Sequence, residues 1–178
     1  MDAIEASTVV YVPRREVFEF IQGYSGATEY ADHVERVRQF GDGGPGTDYR
    51  ITVSWWRFDY TAVTRVTDVD PPTRIDWRST KRPEATGSWH IESVDPPADP
   101  PPDVDPETAT ELRLRIEFDP ESVLGARLSG PLPVEAVLDR VKPVVVSESE
   151  AAVAALVADL EGRRREVDLT VHRAPRSL

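Results

Sequence analysis

The chain has 178 residues, 39% of them hydrophobic and 8% aromatic, which suits one globular domain with a sizeable core rather than a disordered polymer. It contains no cysteine, so disulfides, thiolate metal sites and cysteine nucleophiles are excluded. Asp and Glu total 32 against 21 Lys and Arg, a net charge of -11 that disfavours non-specific binding to nucleic acid or anionic lipid.

The only lysines are Lys81 and Lys142. A strongly acidic, lysine-poor surface fits a halophilic protein, kept soluble in concentrated salt where screening removes self-repulsion. A GC-rich genome with its arginine codons is the other reading of the same composition. No apolar run reaches the roughly 18 to 20 residues of a membrane span, so stable membrane insertion is not expected. The acidic start, Met1 to Glu5, has no basic region of the kind that opens a signal peptide, and a cytoplasmic location is expected.

In chain order, Ile4 to Val12 is rich in Thr and Val and predicts a strand. Pro13 closes it and suits the first position of a helix over Arg14 to Gln22, where Val17, Phe18 and Ile21 share one face. Ala27 to His33 predicts a second short helix. Strands are then expected over Val34 to Phe40, Tyr49 to Trp56 and Phe58 to Val66, followed by Arg74 to Thr80, Gly87 to Val94 and Leu112 to Phe118. The last is the cleanest period-two run, with Leu112, Leu114, Ile116 and Phe118 alternating with Arg113, Arg115 and Glu117. Short connections favour antiparallel neighbours. The segment 95–107, DPPADPPPDVDPE, cannot donate a regular ladder and is expected as a mobile loop insertion. Pro133 to Val141 and Val144 to Gly162 predict helix, divided at Pro143, with Val146, Val153, Leu156, Val157 and Leu160 recurring at three and four. Gly162 is a plausible C-cap, and Arg163, Arg164 and Arg165 suit the negative end of the helix dipole. Val167, Leu169 and Val171 alternate, so the tail, residues 166–178, either adds a short strand or frays.

Gly41, Gly43 and Gly46 satisfy GxGxxG, but a strand follows where a dinucleotide site needs a helix, so the glycines read as a hairpin turn. Ser25 lacks the GxSxG context of a nucleophile elbow. The histidines, His33, His90 and His172, have no metal-ligand spacing, and neither a metal nor a cofactor is expected. His90 alternates with Trp89 and falls with Glu92. An inward His90 would be a general acid or base, whereas the alternation favours a solvated one. Arg74, Asp76 and Arg78 read as an ion-pair ladder on the wet face.

Four segments carry a family resemblance: VVYVPRREVFEFI (Val9 to Ile21), GPGTDYRI (Gly44 to Ile51), VTDVDPPTRIDWRS (Val66 to Ser79) and GSWHIESV (Gly87 to Val94). Together with the element order, they resemble the START-like superfamily, also called SRPBCC, which includes polyketide cyclases, aromatase-like proteins and coenzyme Q-binding domains. The resemblance covers Ile4 to Gly162, with the Pro-rich insertion and Pro143 departing from the pattern. It implies an α+β helix-grip domain over residues 1–165. A curved antiparallel sheet of about six or seven strands surrounds a long C-terminal helix, with two short helices after the first strand.

The resemblance also implies an elongated apolar cavity. Its expected lining is Tyr30, Trp55, Tyr60, Trp77, Trp89, Val146 and Val153. The partner it implies is a small hydrophobic molecule (a lipid, isoprenoid, quinone or polyketide-like compound) that the protein carries or senses. A polyketide cyclase or dehydratase, moving protons through inward polar residues, is the alternative, and a protein-interaction module is a third. No nucleophile, metal set or paired acid and base weighs for catalysis. Ligand identity and oligomeric state stay open.

Overall fold

The computed structural model describes residues 1–23, 34–55, 58–119, 122 and 150–174. Its strands are β1 (Asp2–Tyr11), β2 (Val34–Phe40), β3 (Asp48–Trp55), β4 (Phe58–Asp70), β5 (Arg74–Ser79), β6 (Ala85–Ser93), β7 (Ala109–Phe118) and β8 (Thr170–Arg173). One helix, α1 (Arg14–Gln22), follows β1, and residues 150–161 form a second, α2.

All eight strands join one sheet in the order β2-β3-β4-β5-β6-β7-β1-β8, and every pairing is antiparallel. The sequence order is kept from β2 to β7, as hairpin-length connections require. Only the placement of β1 between β7 and β8 is non-local.

The strand count exceeds the expected six or seven, and the tail supplies the difference. Residues Thr170 and Val171 of β8 pair with Ser7 and Ala6 of β1. Ser7 Oγ and His172 Nε2 lie 2.7 Å apart, and the Thr8 hydroxyl donates to the Asp168 carbonyl at 2.9 Å. β8 itself is exposed throughout, so hydrogen bonds rather than burial hold it. The second short helix expected over Ala27 to His33, and the helix expected over Pro133 to Val141, lie outside the described residues.

The core follows from the periodicities. α1 buries Val17, Phe18 and Ile21 against Val10, Val66, Ile75, Ile91 and Leu112 of the sheet, with Leu156 and Val157 of α2 completing the cluster. β4 explains how a 13-residue strand stays in phase with its neighbours. The register with β5 shifts between Val66 and Asp68, so Val66 opposes Trp77 and Val69 opposes Ile75. A bulge of this kind resets the alternation and bends the strand. Val66 and Val69, three apart, can therefore both pack on the core.

The glycine-rich turn between β2 and β3 carries no helix. Gly43 has φ +93, and a Cβ there would lie 2.8 Å from the Gln22 carbonyl oxygen, so the hairpin tucks against the end of α1. Beside it the Tyr49 hydroxyl donates to that same Gln22 carbonyl at 2.5 Å. Tyr49→Phe is expected to lower stability by about 1 kcal/mol, the usual net value of one hydrogen bond, in urea denaturation. An unchanged midpoint would show that this link contributes nothing.

The Pro-rich segment is closed at its base by the Val94 amide donating to the Ala109 carbonyl at 3.0 Å. Asp105 caps a single 3-10 turn at Pro106–Thr108 through the Glu107 amide.

Candidate functional site

The two faces of the sheet differ sharply in chemistry. The face covered by α1 and α2 carries Tyr49 and Ile51 of β3, Ala62, Thr64, Val66 and Val69 of β4, and Ile75, Trp77 and Ser79 of β5. β6 adds Ala85, Gly87, Trp89 and Ile91, and β7 adds Leu112, Leu114, Ile116 and Phe118. β1 contributes Ile4, Ala6, Thr8 and Val10. From β3 to β7, and in β1 from Ile4 to Val10, this inner face holds no Asp, Glu, Lys, Arg or His among the described residues. Asp2 stands at the strand end, opposite Phe118.

Burial is uneven along that face. At the α1 end Val10, Ile75, Ile91 and Leu112 are buried. Toward the other end Ile4, Trp77, Leu114, Ile116 and Phe118 are only half-buried although wholly apolar. Trp77 opposes Gly87 across β5 and β6, and its indole lies over that glycine. A Cβ on Gly87 would fall 2.1 Å from Trp77 Cζ2, so the missing side chain is what lets the ring lie flat against β6. Trp89, opposite Ile75, packs against the core cluster, as does Val153 of α2.

Trp77, Trp89 and Val153 are thus gathered on the apolar side. Tyr30 and Val146 lie outside the described residues. Trp55 and Tyr60 have their backbones in β3 and β4, with Trp55 opposite Phe58 and Tyr60 opposite Val53, and their side chains lie outside the described set. The wall formed by Leu114, Ile116 and Phe118 was not among the expected lining, although the clean alternation of β7 was the signal for it. Tyr49 is the inner face's one phenol among the described side chains. Burial, helped by the Asp42 carboxylate, pushes its pKa above the ordinary tyrosine value, so it stays a neutral hydrogen-bond donor.

From β3 to β7 the described charged side chains fall on the outer face. Arg113 bridges Glu5 at 3.0 Å and Glu111 at 2.8 Å, and Arg115 pairs with Glu117. His90 falls here, its Nε2 3.0 Å from Ser88 Oγ. With Glu92, Glu5, Glu111, Arg113 and Arg115 it lines a polar groove of about 230 Å³. Arg74 pairs with Asp76 at 2.7 Å along β5, so the expected ladder runs within the strand and leaves Arg78 out. Among the described residues no group of three His, Asp or Glu could hold a metal ion, and no helix is long and apolar enough to cross a membrane.

The sequence matches the family model for polyketide cyclase/dehydrase and lipid transport over residues 10–142. Among solved structures, the fold is similar to the Zhui aromatase/cyclase of Streptomyces sp. R1128, with a TM-score of 0.65 and 20% identity, covering 89% of this chain and 93% of that one. It is also similar to a START superfamily protein of Mycobacterium smegmatis, with a TM-score of 0.58 and 11% identity, covering 90% and 99%. No curated protein matches the sequence. A polar outer face, an apolar inner face gripped by helices and a family match over more than half of the chain agree: the chain belongs to the polyketide cyclase/dehydrase and lipid transport family, on a START-like α+β fold.

Proposed function

We propose that this protein binds a small hydrophobic ligand, such as a lipid, isoprenoid, quinone or polyketide-like molecule, between the sheet and the helices as a carrier or sensor. The observation that carries this reading is the charge-free inner face from β3 to β7, whose half-buried end is apolar. An apolar solute gains from leaving water there at about 25 cal/mol per Å² buried, and no charge on the described inner face has to be desolvated with it. Trp77 and Trp89 are the flat surfaces it would rest on, and Val153, Tyr30, Trp55, Tyr60 and Val146 complete the proposed lining.

The test is native mass spectrometry of protein purified in concentrated salt, followed by solvent extraction. A stoichiometric apolar molecule is expected, and Trp77→Ala and Trp89→Ala are each expected to abolish its retention. Retention unchanged in both variants would overturn the lining. A protein that emerges empty and also takes up no fluorescent fatty acid would overturn ligand binding itself.

The family description, with its cyclases, supports an enzymatic second reading. That reading needs an inward proton carrier, and among the described side chains the inner face supplies Tyr49 and the hydroxyls of Thr8, Thr64, Ser79, Ser93 and Thr110. Turnover of a polyketide-like substrate that is lost in Tyr49→Phe would favour it.

A further inference from the structure

A polar row crosses the apolar inner face. Gln39 of β2, Tyr49 of β3, Thr64 of β4 and Ser79 of β5 oppose one another in turn. Directly opposed residues of antiparallel strands share a face, with Cβ atoms about 4.5–5.5 Å apart, so the four side chains form a continuous band. All four are half-buried.

The row is not the margin of the sheet. On one side it is bordered by Val37, Ile51 and Ala62, opposed in the same way, and on the other by Val66, Trp77, Gly87 and Ile116. Along β5, Ser79 is the next inward residue after Trp77, so an apolar body resting on the indole brings one end onto the row.

Most of the row's hydrogens are already spent. The Tyr49 hydroxyl donates to the Gln22 carbonyl, the Gln39 side-chain amide to the Gly41 carbonyl at 3.2 Å, and the Ser79 hydroxyl to the Lys81 carbonyl. Thr64, between Tyr49 and Ser79, has no hydrogen-bond partner among the described residues. Its proton is therefore the one hydroxyl proton of the row left for a ligand. Ser79 Oγ receives the Lys81 amide at 3.3 Å and, having two lone pairs, keeps one acceptor position. A free donor and a free acceptor thus stand on opposed residues of neighbouring strands. The row carries no charge, and burial keeps Tyr49 neutral.

An alcohol or phenol answers both groups, because its oxygen accepts from Thr64 while its proton goes to Ser79. A carbonyl uses the donor alone. A hydrocarbon end displaces water from the Thr64 hydroxyl and leaves it unpaired, which costs binding.

We infer that the ligand is an apolar molecule bearing a neutral hydroxyl, and that Thr64 as donor and Ser79 as acceptor bind that group beside Trp77. This rests on the proposed binding of an apolar molecule between sheet and helices, and it adds the chemical class of the ligand and the residues that read it.

The test is fluorescence titration of the full chain with two pyrene-labelled alkyl chains of equal length, one ending in a hydroxyl and the other in a methyl group. Thr64→Val keeps the branched shape and the strand preference without the hydroxyl. It is expected to bind the alcohol about threefold to tenfold more weakly than wild type, the range of one neutral hydrogen bond. The methyl-ended probe should bind it as tightly as wild type or more tightly. Thr64→Ser should restore the alcohol, and Ser79→Ala should weaken the alcohol without weakening the methyl-ended probe. Equal loss of both probes in Thr64→Val, or loss of neither, overturns the hydroxyl site while leaving ligand binding intact. Failure of both probes to bind wild type overturns the ligand reading itself, and this inference with it.

Discussion

Replacing Glu161 with alanine is expected to destabilise the protein by about 3–5 kcal/mol, the range for removing one partner of a buried ion pair. The Glu161 side chain is 3% exposed and that of Arg165 is 11% exposed. Arg165 gives the carboxylate two parallel bonds, Nε to Oε2 at 2.8 Å and Nη2 to Oε1 at 2.7 Å, one turn apart on the chain. The Tyr11 amide donates to Oε1 at 3.0 Å, and Arg165 Nη2 also reaches the Val9 carbonyl at 2.9 Å. The guanidinium lies 5.3 Å from the centre of the Tyr11 ring. One pair thus ties the end of α2 to β1, the strand on which the only non-local placement in the sheet depends. Alanine would leave the Arg165 charge and the Tyr11 amide without their acceptor. Urea denaturation reads the loss directly, and a change below about 1 kcal/mol would show that water already solvates the pair as it does at a surface.

The same site carries a pH signature. Burial raises the Glu161 carboxyl, but the hydrogen bonds from Arg165 and the Tyr11 amide, with the charges of Arg165 and Arg163, outweigh it and set the pKa below the ordinary 4.5. A carboxyl depressed in the folded state binds protons more readily when unfolded. Its contribution is therefore complete above about pH 4.5 and is lost as pH falls toward the folded value. The stability gap between wild type and Glu161→Gln should accordingly narrow through acid pH and stay constant near neutrality. A gap that widened in acid would contradict the sign of the shift.

Much of this architecture was legible because burial contrast imposes its own period. The alternations Ile75/Trp77, Trp89/Ile91 and Leu112 to Phe118 fall on one face of the sheet because each apolar residue there meets the helices and each charged one meets water. His90 lands with Glu92 for the same reason. Features set by pairing rather than by burial stayed hidden. The β4 bulge shifts phase at a position where Val66, Thr67, Asp68 and Val69 allow either face. The alternation of Val167, Leu169 and Val171 left a short strand and a frayed tail both open, and it is the pairing of β8 with β1, with the Ser7–His172 contact, that makes the strand, since its four residues are exposed. Arg163 to Arg165 read locally as dipole partners of a helix end. That Arg165 crosses to the Val9 carbonyl is a tertiary fact with no sequence period. The site divides likewise: Trp77 and Trp89 follow from alternation, whereas the close approach of Trp77 to Gly87 depends on register.

That approach makes the second large effect. Gly87→Val is expected to destabilise by about 3 kcal/mol or more, the upper end for overpacking, because the glycine's absent side chain is the volume that Trp77 fills. A Cβ at residue 87 would sit 2.1 Å from Cζ2 and 2.3 Å from Cε2 of Trp77, far inside contact distance, and the branched methyls of valine add to the clash. The backbone cannot yield easily, since Gly87 is paired with Trp77 on one side and Ile116 on the other. The indole must therefore rotate off β6. Valine has the better intrinsic strand preference, so propensity alone predicts a gain, and the two arguments oppose each other in sign. A contact this short outweighs a propensity scale that spans about 1 kcal/mol. Urea denaturation followed by circular dichroism gives the size of the loss. Tryptophan fluorescence of wild type and Trp77→Phe, each with and without the valine, shows whether Trp77 moved, since only the chain that keeps Trp77 should change its emission. Apolar ligand uptake should fall in parallel, because the displaced ring occupies the half-buried end where Leu114, Ile116 and Phe118 meet. A valine variant as stable as wild type, with unchanged emission, would show that Trp77 does not rest on Gly87, and would remove the ring from the proposed ligand surface.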